Sequence, residues 1–116
     1  MDGDHTIEKT AEVQEEVIKE VYIACQANGV FLEGTLLKPS MTVNGADSSI
    51  KADPMKVAEM TIRTMEGCVP ASVPGIVFLS GGLSEEAASV YLNNMNTLYS
   101  YGTFHSHMGE PCSTHA

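Results

Sequence analysis

The sequence is short of positive charge. Six lysines and arginines stand against fifteen aspartates and glutamates, a formal net charge of −9 at pH 7. Such a chain repels nucleic acid and anionic lipid surfaces, so neither is expected as a partner, and a phosphate-bearing ligand has to be held by local donors against the overall field. Tryptophan is absent, and the three cysteines, Cys25, Cys68 and Cys112, are odd in number and contain no CxxC pair. Neither a disulfide framework nor a zinc site is indicated. No stretch reaches the roughly 18 consecutive apolar residues of a membrane helix. Met1-Asp2-Gly3-Asp4-His5 is unlike the basic and then apolar start of a secretory leader. The chain reads as soluble and cytoplasmic, with an organelle left open.

What is present is enough for one compact domain with a modest core, since 43% of the 116 residues are hydrophobic. Over residues 7–26 the spacing predicts a helix whose inner face carries Val13, Val17 and Val21, flanked by Ala11, Ile18, Tyr22 and Cys25, with Asn28-Gly29 as its stop. Residues 30–37 form a nearly continuous apolar run, expected as a strand buried on both faces, with Glu33 the one dissonant residue. Residues 40–52 are rich in Ser, Thr, Asn, Gly and Asp and read as a loop. Asp53-Pro54 is an N-cap with proline at the first helical position, and Val57, Ala58, Ile62 and Met65 give a second amphipathic helix closed by Gly67. Residues 75–79 are a second short strand. Ser84, Glu85 and Glu86 then open a third helix to about residue 94, with Ala87, Val90 and Tyr91 facing inward. Residues 97–101 allow a further short strand. The order helix, strand, helix, strand, helix predicts an α/β fold with a parallel sheet. Two or three strands leave bare edges, so the chain looks like part of something larger.

Two features invite chemistry. Lys38 sits at the end of the first apolar run, and Pro39 keeps it extended. In α/β barrels the carboxyl ends of strands face the active site, but a strand-end lysine also simply snorkels into water. A nucleophilic amine must be neutral, so its pKa has to fall from about 10.4 toward roughly 7–8. No basic neighbour in the strand supplies that. The second feature is Ser80-Gly81-Gly82, between a strand and a helix N-terminus, where glycines let backbone N–H groups approach an anion; an ordinary turn would need the same glycines. Leu79-Ser80-Gly81-Gly82 also matches the signature of ATP-binding-cassette ATPases, but no GxxxxGK[ST] phosphate loop accompanies it. His105, His107, Cys112 and His115 match no zinc spacing. Met41, Met55, Met60, Met65 and Met95 read as packing, and the glutamates of the first helix as its solvated face.

Leu32-Glu33-Gly34-Thr35-Leu36-Leu37-Lys38-Pro39-Ser40-Met41 closely resembles the Schiff-base segment of class I fructose-bisphosphate aldolases. Residues 69–82, Ser84-Glu85-Glu86-Ala87 and Leu92-Asn93 resemble the same family's following strand and helix, and Asp2-Gly3-Asp4-His5 its approach to the preceding helix. The likeness covers about positions 2 to 96. It implies an incomplete (β/α)8 barrel of about two to three βα units over residues 1–104, holding the sixth and seventh strands, followed by an unstructured tail, 105–116. It further implies that Lys38 forms an imine with the substrate ketone and that Ser80, Gly81 and Gly82 hold phosphate, with neither metal nor cofactor. Ser100 and Gly102 match the family's Ser-Tyr-Gly-Arg segment, although Thr103 stands where the family has arginine. Met41-Thr42-Val43-Asn44-Gly45 also departs from the usual Met-Val-Thr-Pro-Gly.

The implied substrate is a phosphorylated sugar, and the parent enzyme a homotetramer acting in glycolysis, gluconeogenesis or carbon fixation. The family's acid/base glutamate and its earlier lysines and aspartate lie upstream of these residues. The isolated chain is therefore expected to have little or no activity. Two other readings stay open, a non-catalytic fragment that binds partners through exposed apolar edges and a different barrel-type Schiff-base aldolase.

Overall fold

The computed structural model describes residues 2–100 and 113–115. Helix α1, Ile7–Ala27, starts where the Thr6 hydroxyl accepts from the Lys9 N–H at 3.2 Å. It stops where the Asn28 amide donates to the Ala24 carbonyl at 2.8 Å and Gly29 turns to φ 69°. This is the cap chemistry expected of Asn-Gly. The inner face is a different one from that expected. Ile7, Ile18 and Tyr22 are buried, whereas Val13, Val17 and Val21 stay exposed. Two apolar stripes run along this helix about 100° apart, and α2 covers only the one bearing the larger side chains.

The expected strand at residues 30–37 does not form. Leu32–Gly34 is a single 3-10 turn, with Gly34 N–H donating to Phe31 and Thr35 N–H to Leu32 at 3.1 and 3.0 Å. Leu32 alone of the large residues in the turn region is buried, while Phe31 is 71% and Leu36 65% exposed. The reason is a missing partner: among the described residues no strand lies beside 30–36, so the backbone satisfies itself locally. Glu33, dissonant in a buried strand, is exposed in the turn.

Strand pairing begins only at Leu37. Helix α2, Pro54–Cys68, follows the Asp53 cap, whose carboxylate accepts from Met55 N–H at 3.2 Å. It buries Val57, Ala58, Ile62 and Met65, the face read from the sequence, and adds Thr61 and Thr64. The helix returns the chain to β1, Val77–Leu79. Leu37 pairs parallel with Ile76, and Ser40 with Leu79. Helix α3, Glu85–Ser100, begins at Ser84, whose hydroxyl accepts from Ala87 N–H at 3.1 Å. It takes up residues 97–100 of the expected strand, because Met95 is fully buried and Leu98 packs on the core at the spacing that continues a helical face. Tyr101 lies outside the described residues. Ala88, not Ala87, is the buried alanine, and Val90 is exposed.

The tail expected to be unstructured contributes β2, Ser113–His115, parallel to β1 with Leu79 opposite His115. The N–H groups of Val77 and Leu79 already bond to the Leu37 side, so β2 takes the opposite edge of β1, the one a three-residue strand leaves unpaired. Residues 105–112 and 116 lie outside the described residues, as does Gly102. No helix among the described residues is long and apolar enough to cross a membrane.

Phe78, Ile62, Met65 and Met95 are fully buried at the centre. Phe78→Ala should cost about 3–5 kcal/mol and abolish a cooperative thermal transition followed by circular dichroism, while Val17→Ala on the exposed stripe of α1 should stay within about 0.5 kcal/mol. Burial, with Glu15 nearby, pushes the Cys68 thiol from 9.0 up to about 11, and its S–H donates to the Thr64 carbonyl at 2.9 Å. The fold favours the neutral thiol, so its contribution to stability is complete below pH 9 and is lost as pH rises toward about 11. In urea unfolding, Cys68→Ala should therefore lose less stability than the parent chain between about pH 8 and pH 10.5.

Candidate functional site

The residues around Lys38 are held from two directions. On one side the β1 ladder binds Leu37 twice, through Leu37 N–H to Gly75 at 3.2 Å and Val77 N–H to Leu37 at 2.9 Å. Leu79 N–H then reaches the Pro39 carbonyl at 3.0 Å. On the other side α1 contributes Gln14, whose amide donates to the Ser40 carbonyl at 3.1 Å and to its hydroxyl at 3.0 Å. The Gln14 oxygen accepts from the Thr42 hydroxyl at 2.6 Å. Thr42 N–H in turn donates to the fully buried Thr61 hydroxyl at 3.0 Å. The segment after the lysine is thus bonded to both β1 and α1, and Met41, Thr42 and Val43 are all buried.

Lys38 itself is exposed. The four ion pairs among the described residues use Lys9, Lys19, Lys56 and Arg63, not Lys38. The pairing registers Lys38 beside Val77, three residues before Ser80. At about 3.3 Å per residue that is roughly 10 Å along the strands.

Ser80-Gly81-Gly82 turns from β1 into α3, with Leu83 N–H donating to the Ser80 carbonyl at 3.0 Å. Gly81 and Gly82 have φ of 56° and 88°, so the glycines are required by the backbone as well as suited to an anion. Gly81 and Gly82 open on a cleft of about 500 Å³ whose other wall is the loop after Lys38, including Asn44 and Lys51. Lys51 is the cation that sequence reasoning passed over; its Nζ donates to the Ala46 carbonyl at 3.0 Å. Lys51 is the sole basic residue between positions 39 and 55, but it sits in a polar loop with no motif around it. Asp2 lines the same cleft and opposes an anion. Lys38 does not line it. Of the expected secondary positions, Ser100 closes α3 instead of ending a strand. Among the described residues no group of three or more His, Cys, Asp or Glu side chains could hold a metal ion.

These elements define a parallel α/β unit pair with a strand-end lysine on one unit and a glycine turn at a helix start on the next. The family model for class-I fructose-bisphosphate aldolase matches residues 1–106. A fructose-bisphosphate aldolase from Dictyostelium discoideum is 48% identical over 98 residues, which are 84% of this chain and 28% of that protein. The cytosolic fructose-bisphosphate aldolase 4 of Arabidopsis thaliana is 51% identical over 84% of this chain and 25% of its own length. Among solved structures, fructose-bisphosphate aldolase from Plasmodium falciparum, crystallised with TRAP and a small molecule inhibitor, superposes with a TM-score of 0.82 at 49% identity, covering 84% of this chain and 28% of that one. The chain belongs to the class-I fructose-bisphosphate aldolase family, and it spans little more than a quarter of the length of these relatives.

Nothing lies within 4 Å of a Cβ added at Gly82, so Gly82→Ala should cost only the backbone strain of a positive φ, about 1–2 kcal/mol. Gly82→Asn, which tolerates that region better, should cost measurably less in the same thermal melt.

Proposed function

We propose that this chain carries two to three βα units of an incomplete (β/α)8 barrel, with Lys38 as the imine-forming amine and Ser80, Gly81 and Gly82 as the phosphate cradle of a fructose-bisphosphate aldolase. The observation that carries the reading is the parallel register that sets the Lys38-Pro39 step beside the strand leading into the glycine turn, with Leu79 N–H on the Pro39 carbonyl at 3.0 Å.

In this reading the neutral Lys38 amine adds to the C2 ketone of fructose 1,6-bisphosphate, and loss of water leaves a protonated imine. The C3–C4 bond then breaks as a base removes the proton of the C4 hydroxyl, which becomes the carbonyl of glyceraldehyde 3-phosphate. The bonding pair passes into the imine nitrogen as the enamine of dihydroxyacetone phosphate. Reprotonation at C3 and hydrolysis release that product and restore the amine. Backbone N–H groups at the start of α3 are suited to the substrate's phosphate, because the overall charge of −9 offers it no attraction. The base that moves these protons is expected upstream, as the resemblance implies, so the 116 residues alone should turn over little substrate. The parent assembly is proposed as a cytoplasmic homotetramer; relatives with cytosolic and chloroplastic names share the same segment.

A chimera tests this directly. Residues 2–96 of this chain, exchanged for the matching segment of the Dictyostelium relative, should be trapped at Lys38 by borohydride with dihydroxyacetone phosphate, as read by peptide mass mapping. Lys38→Met in the chimera should abolish both the adduct and cleavage. The free 116-residue chain should give no comparable adduct. A folded chimera that cleaves substrate without a Lys38 adduct would sink the assignment.

A further inference from the structure

We propose that Gln14 is a positioning residue for Lys38, acting from α1 on the outer edge of the lysine segment. The proposal rests on reading Lys38 as the reactive amine and goes beyond it.

Alternate residues of a parallel strand bond to opposite edges. Leu37 and Pro39 use their backbone groups toward β1, so Lys38 and Ser40 point theirs to the other edge. On that edge Gln14 occupies the place a neighbouring strand would take, donating to the Ser40 carbonyl at 3.1 Å and the Ser40 hydroxyl at 3.0 Å. It also accepts from Thr42 at 2.6 Å. One side chain therefore closes a three-point clamp two residues beyond the lysine. Thr42 is completely buried and tied through Thr61 to the Val57 carbonyl at 2.7 Å, so the clamp has a rigid anchor on α2. With Pro39 holding the step between them, the direction in which Lys38 leaves the sheet is set by Leu37 on one side and by Gln14 on the other.

Sequence reading assigned no role to Gln14, and none of its neighbours on the helix substitutes for it. Thr10, one turn earlier, donates to the Val43 carbonyl at 2.6 Å. That bond pins the far end of the buried stretch and leaves the lysine end free, which makes Thr10 a natural control. His5 and Lys9 line the same shallow cleft with Gln14, but neither takes part in the clamp.

The test uses the full 116-residue chain and formaldehyde with cyanoborohydride, which forms and reduces an imine at any accessible lysine. The ratio of methylation at Lys38 to that at Lys51, measured by mass spectrometry, should shift at least threefold in Gln14→Leu. It should shift similarly in Gln14→Glu, which keeps the acceptor for Thr42 and loses the donor for Ser40. Amide exchange at Leu79, bonded to Pro39, should rise about tenfold in both, with the α2 amides unchanged. Thr10→Val should lower the melting temperature without moving the ratio. If Gln14→Leu does not fold, Gln14→Glu carries the measurement. An unchanged ratio in a folded Gln14 variant overturns the proposal, whether or not exchange rises, because Gln14 would then be only structural. Failure of ketone trapping at Lys38 in the chimera would instead remove the aldolase reading and leave the clamp standing.

Discussion

The parallel pairing of residues 37–40 with β1 is the constraint on which the rest depends. Three backbone hydrogen bonds, all between 2.9 and 3.2 Å, join the end of the first apolar run to the second strand. Their net worth is only about 0.5–1.5 kcal/mol each, so they do not hold the chain together by strength. They decide register. Once Leu37 lies opposite Ile76, α2 must cross over the sheet to connect them, Phe78 must point into the helices, and the glycine turn must follow at the lysine's end of the sheet. Burial then supplies the energy, through Phe78, Ile62, Met65 and Met95, each fully excluded from solvent.

How much of this could be read beforehand depended on whether the deciding interaction was local. The N-caps Asp53 and Ser84 and the Asn28-Gly29 stop are chemistry between residues a few positions apart, and the helices begin and end where those residues say. The buried face of α2 was equally legible, because that helix has a single apolar stripe. Helix α1 has two, and nothing in its own sequence says which one α2 will cover. The run at residues 30–37 failed for the same reason at larger scale. Its composition suits a strand, but a strand requires a neighbour, and apolar character without one yields a 3-10 turn with Phe31 and Leu36 in solvent. The extension of α3 through residues 97–100 was hidden by Asn and Thr, whose side chains bond back to the carbonyls of Leu92 and Asn93 at 3.2 and 3.0 Å and sit comfortably on a helix.

The candidate site divides along the same line. Lys38, Ser80, Gly81 and Gly82 are candidates from position and motif, and the turn carries at Gly81 and Gly82 the positive φ that those glycines suggest. The supporting groups were not found. Gln14 is 24 positions from Lys38 in sequence and Lys51 sits in a polar loop, so neither carries a periodic or motif signal. Gly45 shows the same limit. A side chain there would collide with the Gly3 carbonyl, because the Gly45 N–H reaches the His5 carbonyl at 2.9 Å and the start of the chain lies against the loop after the lysine. The need for glycine comes from a contact between segments 42 positions apart.

The two kinds of residue also differ in what they require from beyond the described residues. The caps, the α2 core and the Gln14 clamp are complete within these residues, and the superposition with the much longer Plasmodium chain at a TM-score of 0.82 shows that the segment has the same shape there. The exposed Phe31 and Leu36 and the unpaired edge before Leu37 are the opposite case, groups whose composition anticipates neighbours that the described residues do not supply. Local folding and chemical competence are therefore separable in this family segment. Its hydrogen bonds can set the backbone of Lys38 in register with the glycine turn, whereas the desolvation and the proton-moving base that the proposed imine chemistry requires would have to come from beyond the described residues.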